Sequence, residues 1–153
     1  MQQEFEMSLL GEITYFLGLQ VQQEKYGIFL SQNKYVKQIL KKHGMENYKH
    51  VWTSMVIGCN LNSKDDSPSL NKPKYRSMIG ILVYLTGTRP DIMHAIEIVG
   101  QFQANPKETH LHALKRIFKY LQGIQYYGLW YPKNVDFSLH AYTDVDWVGN
   151  VDD

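Results

Sequence analysis

The feature that most constrains the fold is a series of apolar stripes at helical spacing in the second half of the chain. A stripe of this kind covers one face of an α-helix, and that face must be buried against another element. Three stripes follow one another, formed by Tyr75, Met78, Ile79, Leu82 and Leu85, by Ile92, Ala95, Ile96, Val99 and Phe102, and by Leu111, Leu114, Phe118 and Leu121. Helix-start signals precede the second and third stripes, at residues 88–91 and 105–108. The pattern therefore predicts three consecutive helices with a shared core, the last ending at Gly123.

The N-terminal part of the chain has a different pattern, one of strict alternation. Apolar residues occupy every second position over residues 13–21, which is typical of a β-strand with one buried face. A short apolar run follows at 28–30, so a hairpin that turns near residues 25–27 is predicted. Gly18, inside the first strand, indicates a bulge or a close approach of another part of the chain.

A further helix is predicted directly after the hairpin, with Ser31 as its N-cap and Gly44 as the left-handed residue at its end. Residues 45–74 are rich in turn formers and read as a linker. Short strands are predicted at 128–131 and 137–143. The predicted fold class is α+β, with an N-terminal β-hairpin, about four helices and C-terminal strands.

Composition and charge exclude several classes of protein. The 153 residues are 44% hydrophobic and 13% aromatic, with a net charge of +1, which suits a chain with a buried core and excludes intrinsic disorder. No apolar run reaches the roughly 18 residues of a membrane span, and the start lacks a signal-peptide pattern. We therefore expect no membrane partner and an intracellular location, cytoplasmic or nuclear. The single cysteine, Cys59, allows no internal disulfide.

The small net charge conceals an asymmetry along the chain. Residues 136–153 contain five acidic residues and no Lys or Arg, so residues 1–135 carry +6, which is +1 minus −5. A basic body beside an acidic segment suits a nucleic-acid-facing surface next to a metal-binding element. Unevenly charged solvated surfaces explain the same pattern.

Eight blocks of sequence, in a fixed order, connect the chain to a known family. They are GEITYFLGL at 11–19 with GIFLSQ at 27–32, YRSMIG at 75–80, YLT at 84–86, TRPDI at 88–92, FQANPKE at 102–108, KRIFKYL at 115–121, GLWY at 128–131 and YTDVDWVG at 142–149. In these blocks the chain resembles the Ty1/copia class of LTR-retrotransposon Pol polyproteins. One block would be weak support, whereas the eight together are specific and cover nearly the whole chain.

The resemblance implies a place within such a polyprotein. Residues 1–30 resemble the end of the reverse-transcriptase palm, with a hairpin that grips the primer. Residues 31–123 resemble the helical thumb and connection region, and residues 124–153 the start of a ribonuclease H domain. In its parent, such a segment would help to hold an RNA–DNA or DNA duplex during RNA-directed DNA synthesis, together with the rest of the Pol polyprotein.

The resemblance also implies where the metal chemistry lies. Polymerase and ribonuclease H reactions use carboxylates that hold Mg²⁺ ions. In the family the polymerase carboxylates precede the hairpin, and Asp144 corresponds to the first ribonuclease H carboxylate, with the others further downstream. We therefore expect Mg²⁺ as the parent's cofactor, no cofactor for this chain alone, no complete catalytic set, and no activity by itself.

Basic residues on the first and last predicted helices are the candidates for non-catalytic contact with nucleic acid, because such side chains bind phosphates by displacing counterions. They are Lys34, Lys37, Lys41, Lys115, Arg116 and Lys119. An ordinary solvated helix face explains these residues equally well. An inert relic, or a host-adopted interaction module without enzymatic activity, therefore remains the alternative function.

Overall fold

The computed structural model describes residues 14–134 except for positions 57, 60 and 65. These residues form four strands and four α-helices, so the α+β class is confirmed. In chain order the elements are β1 (Tyr15–Phe16), β2 (Leu19–Glu24), β3 (Gly27–Ser31), α1 (Asn33–Lys42), α2 (Lys72–Leu85), α3 (Met93–Gly100), α4 (Glu108–Gly123) and β4 (Gly128–Pro132). Short 3₁₀ helices at Pro90–Ile92 and Gln101–Ala104 flank α3.

The three predicted stripes form the core of the helical bundle, in which α3 contacts α2 and α4 while α1 packs on α4. All their members are buried except Leu111, which is half-buried at the edge of the core. Ile117, which was not among the predicted core residues, is completely buried. Val36, Ile39 and Leu40 of α1, with Met45 just after that helix, complete the cluster. The helical periodicity therefore identified most of the core but missed Ile117.

The start of α1 differs from the prediction, which was wrong about its N-cap. Ser31 is the last residue of β3, where it pairs with Gln20 and Gly128. Gln32 occupies the N-cap position and makes no side-chain capping bond. Its side-chain oxygen instead accepts a buried 2.7 Å hydrogen bond from the Thr88 hydroxyl, which ties the start of α1 to the loop after α2. At the other end, Gly44 has a φ of +63°, the left-handed conformation that was predicted.

The predicted continuous strand over residues 13–21 is two strands within the described part of the chain. The chain reverses at Leu17 and Gly18, whose φ angles are +48° and +81°, so that Phe16 pairs with Leu19. The Tyr84 hydroxyl donates a hydrogen bond to the Leu17 carbonyl and fixes this turn. A side chain on Gly18 would overlap that hydroxyl, which confirms the close approach predicted there. Alternation alone could not reveal a turn that a distant tyrosine stabilises.

The strands form one antiparallel sheet in the order β1-β2-β3-β4. The hairpin between β2 and β3 turns at Lys25 and Tyr26, as predicted. β4 pairs along the whole of β3, so residues about one hundred positions apart lie side by side. The predicted boundary at 123/124 thus separates α4 from a strand that shares the sheet of the N-terminal hairpin. The division into three domains stays a prediction, and the predicted strand at 137–143 lies outside the described residues.

Two glycines allow β3 and β4 to approach. A Cβ atom on Gly128 would overlap the Leu30 carbonyl oxygen, and one on Gly27 would overlap the Tyr131 carbonyl oxygen. Gly27 and Gly128 therefore set how closely the fourth strand joins the sheet. No helix within the described residues is both long and apolar enough to cross a membrane.

Candidate nucleic-acid interface

The three lysines predicted on α1 lie exposed along that helix. Lys34 Nζ is 5.5 Å from the centre of the Tyr15 ring, in β1. Lys37 Nζ is 5.0 Å from the centre of the Tyr126 ring and 3.4 Å from its hydroxyl oxygen. Lys41 is exposed one turn further along the helix. These three lysines and two tyrosines form what we call the α1 surface, where ammonium groups stand beside exposed aromatic rings.

Two of the three basic residues predicted on α4, Arg116 and Lys119, have a different environment, because a loop covers them. Arg116 donates a 2.9 Å hydrogen bond to the Thr53 hydroxyl. Lys119 Nζ is 5.3 Å from the centre of the Tyr48 ring, and its carbonyl accepts a 3.4 Å hydrogen bond from the Val51 amide. All three α4 residues, including Lys115, are half-buried. Arg116 and Lys119 therefore hold the loop against the bundle, and the structure does not bring them together with the α1 surface.

Lys115 instead belongs to a cavity between α1, α2 and α4. The cavity has a volume of about 440 Å³, and its basic lining residues are Lys42, His43, Lys74 and Lys115. Its other lining residues are Met45, Leu70, Asn71, Tyr75, Met78 and Leu111. None of these lining residues is acidic. We call this the basic cavity.

The electrostatics of the basic cavity are visible at His43. Burial lowers the pKa of its imidazole, and the charges of Lys42 and Lys74 lower it further. Its Nε2 atom is buried and has no hydrogen-bond partner in the part of the chain that the structure describes. The two ion pairs found among the described residues, Arg89 with Asp91 and Glu108 with His112, include no member of the cavity. The local field there is therefore positive.

Sequence reasoning missed Lys42, His43 and Lys74 as members of a cluster. Lys42 and His43 end α1, whereas Lys74 lies in the first turn of α2. The start of α2 is set locally, because the Asn71 side chain accepts a 2.9 Å hydrogen bond from the Lys74 amide. The only signal in the sequence was the basic end of α1, and only the packing of the helices joins it to α2 and α4.

A buried polar network lies beside these surfaces and has a structural role. Arg89, only 1% exposed, forms two hydrogen bonds to the Asp91 carboxylate, of 2.9 and 2.7 Å. Its third bond, of 3.1 Å, reaches the Ile124 carbonyl beyond the end of α4. Burial would raise the pKa of Asp91, but the bonds and charge of Arg89, with the Tyr120 hydroxyl, outweigh it and hold the pKa below its usual value. The network joins the start of α3 to the end of α4.

The described residues offer no group of three or more His, Cys, Asp or Glu side chains that could hold a metal ion. Asp144, the predicted ribonuclease H carboxylate, lies outside the described residues. Its role, and the binding roles of the six basic residues, therefore stay predictions.

Comparison with known proteins agrees with the sequence blocks. The family model for reverse transcriptase (RNA-dependent DNA polymerase) matches residues 1–57, which include the hairpin and α1. The Pol polyprotein of transposon RE1 from Arabidopsis thaliana is 38% identical over 99% of this chain and 10% of its own length. The Pol polyprotein of transposon TNT 1-94 from Nicotiana tabacum is 34% identical over 97% of this chain and 12% of its own. The chain is related to the Ty1/copia-type retrotransposon Pol polyproteins.

A shorter relative is also similar over almost the whole chain. A mitochondrial protein of Arabidopsis thaliana, named as uncharacterized, is 40% identical over 95% of this chain and 60% of its own length. The chain thus spans about a tenth of the two Pol polyproteins and less than two thirds of this protein. Its first 57 residues are similar to reverse transcriptases, and nearly its whole length is similar to these Pol polyproteins. No solved structure matches the chain significantly.

Proposed function

We propose that this chain supplies a non-catalytic hold on the template–primer duplex, RNA–DNA or DNA, during RNA-directed DNA synthesis by a copia-type Pol polyprotein. The observation that carries the proposal is the α1 surface, in which Lys34, Lys37 and Lys41 are exposed on one helix. Its position next to the reverse-transcriptase-like hairpin supports the same role. This DNA synthesis would take place in the cytoplasm or the nucleus.

The chemistry of the α1 surface suits the backbone of a nucleic acid. Ammonium groups displace counterions from phosphates and add affinity without reading the sequence. Tyr15 and Tyr126 are exposed beside the lysines, where their rings can stack on unpaired bases at the end of a duplex. A surface of this kind holds a strand without favouring one sequence, which is what a copying enzyme requires.

We also propose that residues 124–153 begin a ribonuclease H domain in which Asp144 is one metal-binding carboxylate. Mg²⁺ binds to several oxygen ligands, often carboxylates. Asp144 supplies one side chain, so it does not make a metal site by itself. When bound in the parent, Mg²⁺ would activate the attacking water and stabilise the leaving oxygen.

The alternative proposal is an inert relic, or a host-adopted interaction module with nucleic acid or protein as its partner. The similarity to a shorter protein, of which the chain spans 60%, favours this alternative. The inert relic differs from the first proposal in whether the chain binds a duplex at all. A host-adopted module that binds nucleic acid would share the binding and differ in taking no part in DNA synthesis.

Duplex binding can be measured by fluorescence anisotropy with a labelled RNA–DNA hybrid and a labelled DNA duplex over a range of salt concentrations. We expect the logarithm of affinity to fall linearly with the logarithm of salt concentration. The Lys34→Ala/Lys37→Ala/Lys41→Ala variant should lower that slope by about one for each phosphate that is no longer neutralised. Lys64→Ala, which removes an exposed lysine from a distant loop, is the control. If the wild-type chain binds neither duplex at low salt, the inert relic is the better account.

A further inference from the structure

We infer that the basic cavity is a phosphate-binding site that takes a phosphodiester group of the bound nucleic acid strand. This inference rests on the proposed function and adds to it a place where the strand enters the bundle. The site is distinct from the α1 surface and contains three basic residues that helix periodicity did not select.

Three separate elements bring the basic groups together. Lys42 and His43 come from the end of α1, Lys74 from the first turn of α2 and Lys115 from the middle of α4. Charges that converge from separate elements around one concave site are characteristic of a binding pocket, whereas a solvated face spreads its charges along one helix. The convergence therefore favours a ligand over simple solvation.

The charges of the cavity lack an acidic partner within it. Neither ion pair found among the described residues includes one of its four basic groups. The pKa of His43 is lowered by burial and then by Lys42 and Lys74, so these two ammonium groups act on the imidazole. A phosphate would relieve this repulsion and form charge-assisted hydrogen bonds, which are stronger than neutral ones.

His43 carries a polar atom that the fold leaves unpaired. Its Nε2 atom is buried and finds no hydrogen-bond partner among the described residues, and its ring lies against Phe118 at 5.2 Å between centroids. Buried polar atoms are almost always bonded, so an unpaired one is unusual. Because this nitrogen has almost no accessible surface, a phosphate in the cavity would act on the imidazole through its charge and not through a direct hydrogen bond.

The size and lining of the cavity suit a phosphate with its attached sugar. A volume of about 440 Å³ lies within the usual range of small-ligand sites. Met45, Tyr75 and Met78 are buried residues along its wall, whereas Lys42 and Lys74 are exposed. The cavity therefore combines an apolar wall for a sugar with ammonium groups that a phosphate can reach from solvent. The other two basic residues predicted on α4, Arg116 and Lys119, line a separate cavity beneath the loop.

The test compares two triple variants of the full chain in the anisotropy assay. Lys42→Gln/Lys74→Gln/Lys115→Gln removes the cavity charges, and Lys49→Gln/Lys64→Gln/Lys133→Gln removes three exposed lysines elsewhere. We expect the first variant to lower the salt slope by about one for each phosphate that it no longer binds, and the second to leave the slope unchanged. The Lys→Arg variant of the same three cavity positions should retain the slope, which separates loss of charge from loss of fold.

A second measurement uses inorganic phosphate as the probe and follows the imidazole signals of His43 by NMR. Saturable shifts in the wild-type chain, absent from the cavity Gln variant, are expected. Duplex binding that is unchanged in the cavity variant, with no phosphate shift at His43, overturns the inference and leaves the proposed function standing. If phosphate shifts the His43 signals but the chain does not bind a duplex, the phosphate site is retained and the proposed function is overturned. If neither phosphate shifts nor duplex binding is seen, both the phosphate site and the proposed function are overturned.

Discussion

Apolar side chains are buried in the helical bundle but largely exposed in part of the sheet. Leu82, Ile92 and Leu114 of the bundle have no exposed surface, whereas Tyr15, Phe16 and Leu17 of the sheet are more than half exposed. Burial of apolar surface is the main favourable contribution to folding. The bundle should therefore determine global stability, while the sheet depends on the contacts that attach it to the bundle.

The largest predicted effect on stability comes from replacing one phenylalanine by alanine in each of the two regions. Phe118→Ala removes a completely buried ring from α4 and should lower the free energy of unfolding by about 3 to 5 kcal/mol. Phe16→Ala removes the same atoms from an exposed position in β1 and should cost less than about 1 kcal/mol. Urea denaturation of both variants measures the difference. Equal losses would show that the sheet is as strongly coupled to the core as the helices.

A second prediction concerns the buried polar network of Arg89 and Asp91, which joins the start of α3 to the end of α4. Arg89→Ala removes a buried cation, leaves the Asp91 carboxylate without its main partner and frees the Ile124 carbonyl. We expect a loss of about 3 kcal/mol, because breaking a buried pair leaves an uncompensated group. Arg76→Ala, at an exposed arginine that bonds the Gln103 carbonyl at 3.2 Å, is the matched control and should cost less than about 1 kcal/mol. A comparable loss in both would contradict a special role for Arg89.

The same contact predicts a pH dependence. The pKa of Asp91 is lowered in the folded chain, so its contribution to stability is complete above its unfolded pKa. That contribution should disappear as the pH falls below about 4 and through the lower, folded pKa. Denaturation at several pH values should show this loss in the wild-type chain and a smaller one in Asp91→Asn. Parallel pH profiles for the two would contradict the assignment.

The difference between the regions also explains what could be predicted from the sequence. The stripes from Tyr75 to Leu121 identified the helices because α-helical hydrogen bonds and burial depend on neighbours three or four residues away. The turn at Leu17 and Gly18 depends on Tyr84, and β4 depends on β3, which lies about one hundred residues earlier. Local periodicity contains no information about such partners, so the predicted single strand was wrong.

The candidate site, too, was predictable only where it depends on residues close together along one helix. Spacing along α1 predicted that Lys34, Lys37 and Lys41 share a face, and the structure leaves all three exposed. The basic cavity requires the end of α1 to meet the start of α2, a contact that only tertiary packing creates. Its members Lys42 and Lys74 were therefore invisible to reasoning from one helix at a time.

A fourth prediction tests how the sheet is held together. Gly128→Ala places a methyl group where it would overlap the Leu30 carbonyl oxygen, so β4 must move away from β3. We expect faster amide hydrogen exchange in β3 and β4, with a smaller effect on global stability than Phe118→Ala has, because local opening can cost less than global unfolding. Exchange in α2 and α4 should remain unchanged. Uniformly faster exchange in the helices would show that the two regions unfold as one unit.

The smallest predicted effect is a stabilisation of the helices. It also tests whether the helical bundle and the sheet unfold independently. Gly80 lies exposed within α2, and a Cβ atom there would meet nothing within 4 Å. Gly80→Ala should raise the free energy of unfolding by about 0.5 to 1 kcal/mol, because alanine loses less backbone entropy in a helix. Gly44→Ala, at a φ of +63°, should instead destabilise the chain. If the bundle alone determines stability, Gly80→Ala should slow exchange in the helices and leave β3 and β4 unchanged; equal slowing in the strands would show that the sheet opens only when the bundle does.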